Sequence, residues 1–227
     1  MSKLILLHGF LGDPDDWKEI ISFLPDFECE ALSYPFTIPK EGILVAYSMG
    51  GRIASTYPHA KILISSHVGL VTEEEKAKRK EWIDILKHKP FSTFLELWYE
   101  QPLFASLKKS PRFPTIFARR LTVNPAVALH QLESLPLANH SIPKNAYFLC
   151  GTQDLKYINL YTRLSLNPLL VEEFSCLPPR TTQALCRSHP HLCGTPAEPT
   201  RISSITREVK LPKSPSTDPT YAMPFDL

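Results

Sequence analysis

Short apolar runs bounded by turn residues recur along the chain, at 4–7, 29–32, 43–46, 61–64 and 146–149. Runs this short and this uniformly apolar read as strands buried on both faces, the pattern of a parallel sheet. Helical periodicity lies between several of them, at 15–24 and 51–57, and strands alternating with helices imply βαβ units. The pattern predicts an α/β chain with a doubly wound sheet. From residue 72 to 107 it changes to charged and aromatic helix, EEEKAKRKEWIDILKH and then FSTFLELWYE, with a further amphipathic stretch at 115–135. Such an insertion between two strands predicts a helical cap over about residues 70–140.

The end of the chain is different. After Leu166 the remaining 61 residues hold ten of the 22 prolines and only one of the eight glycines, Gly194. Proline removes a backbone donor and interrupts helices, and no period-3.6 stripe is visible that could close an α/β sheet. The expected division is an α/β domain over residues 1–176, cap included, and an irregular, proline-rich tail over 177–227. At 227 residues one core is the prior. The balance of 25 Lys+Arg against 23 Asp+Glu is too even to argue for nucleic acid or a membrane surface, which leaves a small molecule as the expected partner. The N-terminus MSKLILLHGF runs straight into a glycine turn without the apolar core of a leader, so a cytoplasmic protein is expected. Five cysteines at 29, 150, 176, 186 and 193 have no CxxC spacing, and neither a disulfide framework nor a metal site is expected.

The chemistry-bearing segment is Ile43-Leu44-Val45-Ala46-Tyr47-Ser48-Met49-Gly50-Gly51-Arg52, an apolar strand, a tight turn and the start of a helix. It fits the nucleophile elbow G-x-S-x-G, whose strained serine needs small neighbours, with Ala46 in place of the first glycine. A Ser-x-Gly-Gly turn can also be purely structural. The context favours chemistry, because Leu7-His8-Gly9-Phe10 supplies the glycine turn where this arrangement sets its second oxyanion-hole amide. The amides of Phe10 and Met49 would then face the oxygen on which negative charge develops. His8 reads as a residue that shapes the turn, and Asp13, Asp15 and Asp16 as acidic residues opening the next helix. Asp154, in a G-x-x-D turn after a late strand, is the candidate triad acid, with an ordinary turn aspartate as the alternative. A base should follow the acid, and only His189 and His191 lie beyond it.

These residues resemble a known family, the 2-succinyl-6-hydroxy-2,4-cyclohexadiene-1-carboxylate synthases of menaquinone biosynthesis, which have the α/β-hydrolase fold. The resemblance covers about residues 3 to 160 and rests on LHGFLGDPDDW, AYSMGGRIA, HVGLVTEEEKAKRKEW, LWYEQPLFASL and FLCGTQDLKY; simple esterases share the first two, whereas LWYEQPLFASL is more specific. It implies a cofactor-free and metal-free lyase, in which a serine activated by histidine and aspartate takes part in proton abstraction, pyruvate leaves, and oxyanion-hole amides hold the enolate-like charge. It further implies that arginines hold the carboxylates of a polycarboxylate substrate, at Arg52, Arg79 and Arg119, with Tyr47 and Trp98 in the pocket. Taken alone, Arg79 in KAKRK reads as a solvated helix face.

The chain departs from the family pattern in two places. Between His8 and Ser48 it is shorter by about one strand-and-helix unit, and Ser33-Tyr34-Pro35-Phe36-Thr37-Ile38-Pro39 cannot supply the helix that covers the sheet before the elbow strand. One sheet face is therefore expected to be less protected, unless the cap or another chain covers it. In the tail no clear equivalent of the family's strand, Gly-His loop with its catalytic histidine, or closing helix stands. One account is that the chain leaves the ancestral reading frame between about residues 160 and 174, which reading the gene in its other frames decides. Two further functions stay open at this point: a carboxylesterase or thioesterase with a Ser-His-Asp triad, and a catalytically degenerate relative that keeps the pocket.

Overall fold

The computed structural model describes residues 3–69, 71–135 and 142–171. The expected irregular tail, and with it His189 and His191, lies outside these residues. Five strands stand where the apolar runs are, β1 (Lys3–Leu7), β2 (Glu28–Leu32), β3 (Ile43–Tyr47), β4 (Lys61–Ile64) and β5 (Ala146–Gly151), and a sixth, β6 (Leu169–Val171), follows. All neighbours pair parallel in the order β2-β1-β3-β4-β5-β6. Residues alternate between faces along each strand: Ile5, Leu7, Leu44, Ala46 and Leu63 join one core cluster, and Leu4, Leu6, Val45, Ile62 and Ile64 join another. Both faces are apolar because helices cover both.

A 3-10 turn (Pro14–Trp17) and α1 (Lys18–Ser22) bury Trp17 and Ile20 on one face. On the other lie α2 (Met49–Ala54) and α8 (Leu155–Arg163), the latter through the stripe Tyr157, Leu160 and Tyr161. Between β4 and β5 the chain forms the helical cap: α3 (Glu73–His88), α4 (Phe91–Tyr99), α5 (Ala105–Lys108), α6 (Phe113–Leu121) and α7 (Pro125–Ser134). Helix α3 opens with a capping box, Thr72 accepting from the Glu75 N–H and Glu75 accepting from the Thr72 N–H. The cap has a core of its own, built on Trp82, Phe94, Leu95, Trp98, Tyr99 and Leu132.

The structure corrects two expectations. Between His8 and Ser48 the strand β2 is present, and only a helix is lacking; residues 33–42 cross irregularly from β2 to β3. The sheet face there is covered by this same segment, since Phe36 and Ile38 pack on the core beside Ile5 and Leu7. The Tyr34 hydroxyl also meets Nδ1 of His130 at 3.0 Å and Oγ of Ser134 at 2.8 Å, tying the crossover to α7. The second correction concerns the chain after Leu166, which supplies the edge strand β6 through Leu149↔Leu169, Cys150↔Leu170 and Gly151↔Val171.

Candidate active site

The order β2-β1-β3 parts successive strands to opposite sides between β1 and β3, and open α/β sheets bind ligands beyond the strand C-termini at such a switch point. The two glycine turns emerge there, His8-Gly9-Phe10 from β1 and Ser48 from β3. Ser48 has φ 50° and ψ −113°, a left-handed conformation that costs a non-glycine residue ~1–3 kcal/mol. Close backbone approach holds it. A Cβ on Gly50 would come within 2.7 Å of the Leu7 and His8 carbonyl oxygens, one on Gly9 within 2.9 Å of the Tyr47 ring, and one on Gly51 within 1.9 Å of Ser66 Oγ. The Ser48 N–H is anchored to the Ile64 carbonyl at 3.0 Å. Met49 begins α2, so its N–H belongs to the first turn of amides that a helix cannot satisfy internally.

A cavity of about 440 Å³ opens at this junction, between sheet and cap. Its sheet side is lined by His8, Phe10, Tyr47 and Ser48, and its cap side by Trp98, Tyr99, Arg112, Arg119 and Arg120. Phe10 and Trp98 meet edge to face at 4.9 Å, which joins the turn after β1 to α4. His8 is the one described histidine in the lining. It shapes the turn: buried, with Nδ1 2.8 Å from the Gly9 carbonyl oxygen and its ring against Phe36. Burial lowers its pKa and favours the neutral ring.

Asp154 follows β5 and caps α8, its Oδ1 accepting from the Tyr157 N–H at 3.4 Å. It is buried, and its Oδ2 accepts from the Ser65 hydroxyl at 2.8 Å. Ser65 stands just past β4 at φ 41°, between the ends of the strands that carry Ser48 and Asp154. Neither Asp154 nor Arg52 nor Arg79 lines the Ser48 cavity.

No family model matches the sequence. The 2-succinyl-6-hydroxy-2,4-cyclohexadiene-1-carboxylate synthase of Escherichia coli O1:K1 is 28% identical over 206 residues, covering 71% of this chain and 81% of that protein. The synthase of the same name from Citrobacter koseri is 30% identical over 208 residues, covering 72% of this chain and 82% of that protein. The chain belongs to this synthase family. The fold agrees: the structure of MenH from S. aureus superposes with a TM-score of 0.68 at 18% identity, covering 82% of this chain and 92% of that one. A malate-bound thermophilic esterase from Thermogutta terrifontis shares the α/β-hydrolase fold at a TM-score of 0.63 and 16% identity, covering 85% and 90%.

The arginines that the synthase resemblance singles out fall into two groups. Arg119 is in the cavity wall, where its Nη2 lies 3.1 Å from both Asp13 oxygens and also bonds Asp16. Arg52 and Arg79 are both buried deeper, beside β4 and the start of the cap. Arg79 donates from Nη1 to the Leu135 carbonyl oxygen at 2.8 Å, while its Nε and Nη2 have no partner among the described residues. Burial, and then the charge of Arg52, lowers its pKa to about 10. KAKRK is therefore not a solvated face at Arg79, which is 3% exposed.

Sequence reasoning missed three groups here. Arg120 joins Arg119 in the cavity wall, with Nη2 2.8 Å from both Asp16 oxygens. Burial opposes its charge, but Asp16 leads the groups that more than restore it, and its pKa lies above the usual value. Ser65 holds Asp154; the run Ser65-Ser66-His67 directly past a buried strand was the available signal. His67 stands with Nε2 3.0 Å from Glu75 Oε1, a contact that misses hydrogen-bond geometry. Burial would raise the Glu75 carboxyl, yet the His67 ring and the Thr72 N–H hold it down to about 2.

Proposed function

We propose that this chain is a carbon-oxygen lyase that eliminates pyruvate from 2-succinyl-5-enolpyruvyl-6-hydroxy-3-cyclohexene-1-carboxylate, leaving 2-succinyl-6-hydroxy-2,4-cyclohexadiene-1-carboxylate. The observation that carries the reading is a strained serine at the switch point, facing a cavity walled by aromatic rings and arginines, in a chain 30% identical to the Citrobacter koseri synthase. Ser48, once deprotonated, takes the ring proton of the substrate. The electron pair shifts through the ring, the carbon-oxygen bond to the enolpyruvyl group breaks, and the departing enolpyruvate takes up a proton at its methylene carbon to become pyruvate. The amides of Phe10 and Met49 face the enolate-like oxygen, where fixed donors act most strongly because they need no reorganisation. Arginine suits the substrate carboxylates because its planar fork binds them bidentately and stays charged; Arg119 reaches the cavity from the cap, and Arg52 and Arg79 supply positive charge behind it. Tyr47 and Trp98 pack on the ring.

Ser48 and Asp154 follow β3 and β5, with β4 between them, so their backbones stand roughly 10 Å apart from strand spacing alone. An imidazole with a hydrogen bond at each end spans that gap, and a base there would lower the barrier for Ser48. His189 and His191 are the candidates from the tail. No cofactor or metal enters the proposed steps. Incubation with the cyclohexene substrate tests the reading: pyruvate release without a burst from a nitrophenyl ester is the expected result. An ester burst with trapped acyl-Ser48 and no pyruvate release would make the chain an esterase instead, and neither reaction would mark a degenerate relative.

A further inference from the structure

The arginine wall of the cavity is already matched to carboxylates of the chain itself. Asp13 and Asp16 first serve the 3-10 turn, Asp13 Oδ1 accepting from the Asp15 N–H at 2.7 Å and Asp16 Oδ2 from the Asp13 N–H at 3.2 Å. They also face α6. Arg119 Nη2 is 3.1 Å from both oxygens of Asp13 and bonds Asp16 as well, and Arg120 Nη2 is 2.8 Å from both oxygens of Asp16. Guanidinium N–H groups against carboxylate oxygens are how arginine holds a carboxylate ligand, and here, through one Nη2 on each arginine, the protein supplies the ligand.

Arg120 Nη1 also lies 3.4 Å from Asp13 Oδ2, so the four groups form one network, but its members differ in depth. The Arg120 and Asp16 side chains are 10% and 15% exposed, whereas those of Arg119 and Asp13 are 36% and 39% exposed. Removing one partner of the deep pair strands a buried charge, so that pair is fixed. Water reaches the outer pair, whose attraction is screened and readily exchanged.

We propose that Asp13 is a resident carboxylate on Arg119, displaced by a carboxylate of the ligand when a polyanion enters the cavity, while Asp16 keeps Arg120 and the position of α6 fixed. The inference rests on the reading that this cavity takes a polycarboxylate. Binding is then an exchange of one carboxylate for another rather than the filling of an open cationic site. A ligand with a single carboxylate gains little by replacing Asp13, so the exchange favours ligands that carry further anchors. It also makes Asp13 a competitor whose neutralisation tightens binding.

Calorimetric titration of the full chain with benzene-1,2,4-tricarboxylate tests this, using wild type, Asp13→Asn, and Asp13→Asn combined with Arg119→Gln. Asparagine keeps the side-chain oxygen that caps the turn, so the fold around residue 13 is retained, and a thermal melt of each variant checks it. Asp13→Asn is expected to bind about fivefold more tightly, equal to ~1 kcal/mol, and the added Arg119→Gln is expected to abolish the gain. Unchanged or weaker binding in a folded Asp13→Asn variant, or no binding in any of the three, would overturn the exchange. Pyruvate release reports separately: a gain at Asp13 without turnover removes the lyase reading and leaves the exchange standing.

Discussion

The two walls of the cavity are held by different physics. On the sheet side, Ser48 and the turn after β1 are fixed by backbone: parallel pairing, glycines that admit neighbouring atoms closer than any Cβ allows, and an amide anchored on β4. On the cap side, Arg119 and Arg120 are placed by ion pairs to residues more than a hundred positions away, over an aromatic cluster that packs against Phe10. The first arrangement has one geometry and is indifferent to salt. The second can exchange partners, which would suit a wall that receives the charged ligand proposed above.

The contrast can be broken most forcefully at Asp16. Asp16→Ala leaves Arg120 buried beside a single, more distant carboxylate at 3.4 Å, and unfolding free energy should fall by about 3 kcal/mol in denaturant titration. A loss below ~1 kcal/mol would mean that the ion pairs do not hold the cap. On the sheet side Gly51→Ala forces a Cβ against buried Ser66, and overpacking of that kind removes about 2 kcal/mol. Raising salt should leave the second loss unchanged and alter the first only slightly, because a buried pair is screened little. The smallest effect concerns pH. Burial lowers the pKa of both His8 and His67 from 6.5, so the unfolded chain takes up these protons at a higher pH than the folded one. Stability contributed by keeping the rings neutral is therefore complete above pH 6.5 and declines as pH falls below it. His67→Gln should flatten that slope in melts recorded between pH 7 and 5, and an unchanged slope would remove His67 from the account.

Legibility in the sequence follows the same line. Strands β1, β3, β4 and β5 can be read because each has a short apolar run buried in the sheet, β2 at the edge being only partly buried, and the elbow can be read because strain at Ser48 demands small residues within a few positions. The edge strand β6 escapes notice: it is three residues long, follows Pro168 and begins the proline-rich stretch. The stripe Tyr157, Leu160 and Tyr161 stands at helical spacing but is too short to predict α8 from the sequence. Asp13 and Asp16 are readable as residues that open a helical turn, which they do, but nothing local announces that their remaining oxygens meet α6. Arg79 misleads for a related reason, since charge on one helix face says solvent until the packing of α3 against α7 shows otherwise. The crossover at 33–42 looks like a gap in the fold because Tyr34, Phe36 and Ile38, although spaced by two, are interleaved with Pro35 and Pro39, which deny a strand its donors; each apolar residue still finds a partner.

The most direct measurement is pyruvate release from the succinyl-enolpyruvyl-cyclohexene substrate by the full chain, with Ser48→Ala, His189→Ala and His191→Ala beside wild type. The account predicts release by wild type, a loss of at least about a thousandfold in Ser48→Ala, equal to ~4 kcal/mol of barrier, and a comparable loss in one of the two histidine variants. Undiminished release by Ser48→Ala, or none from wild type, would contradict it.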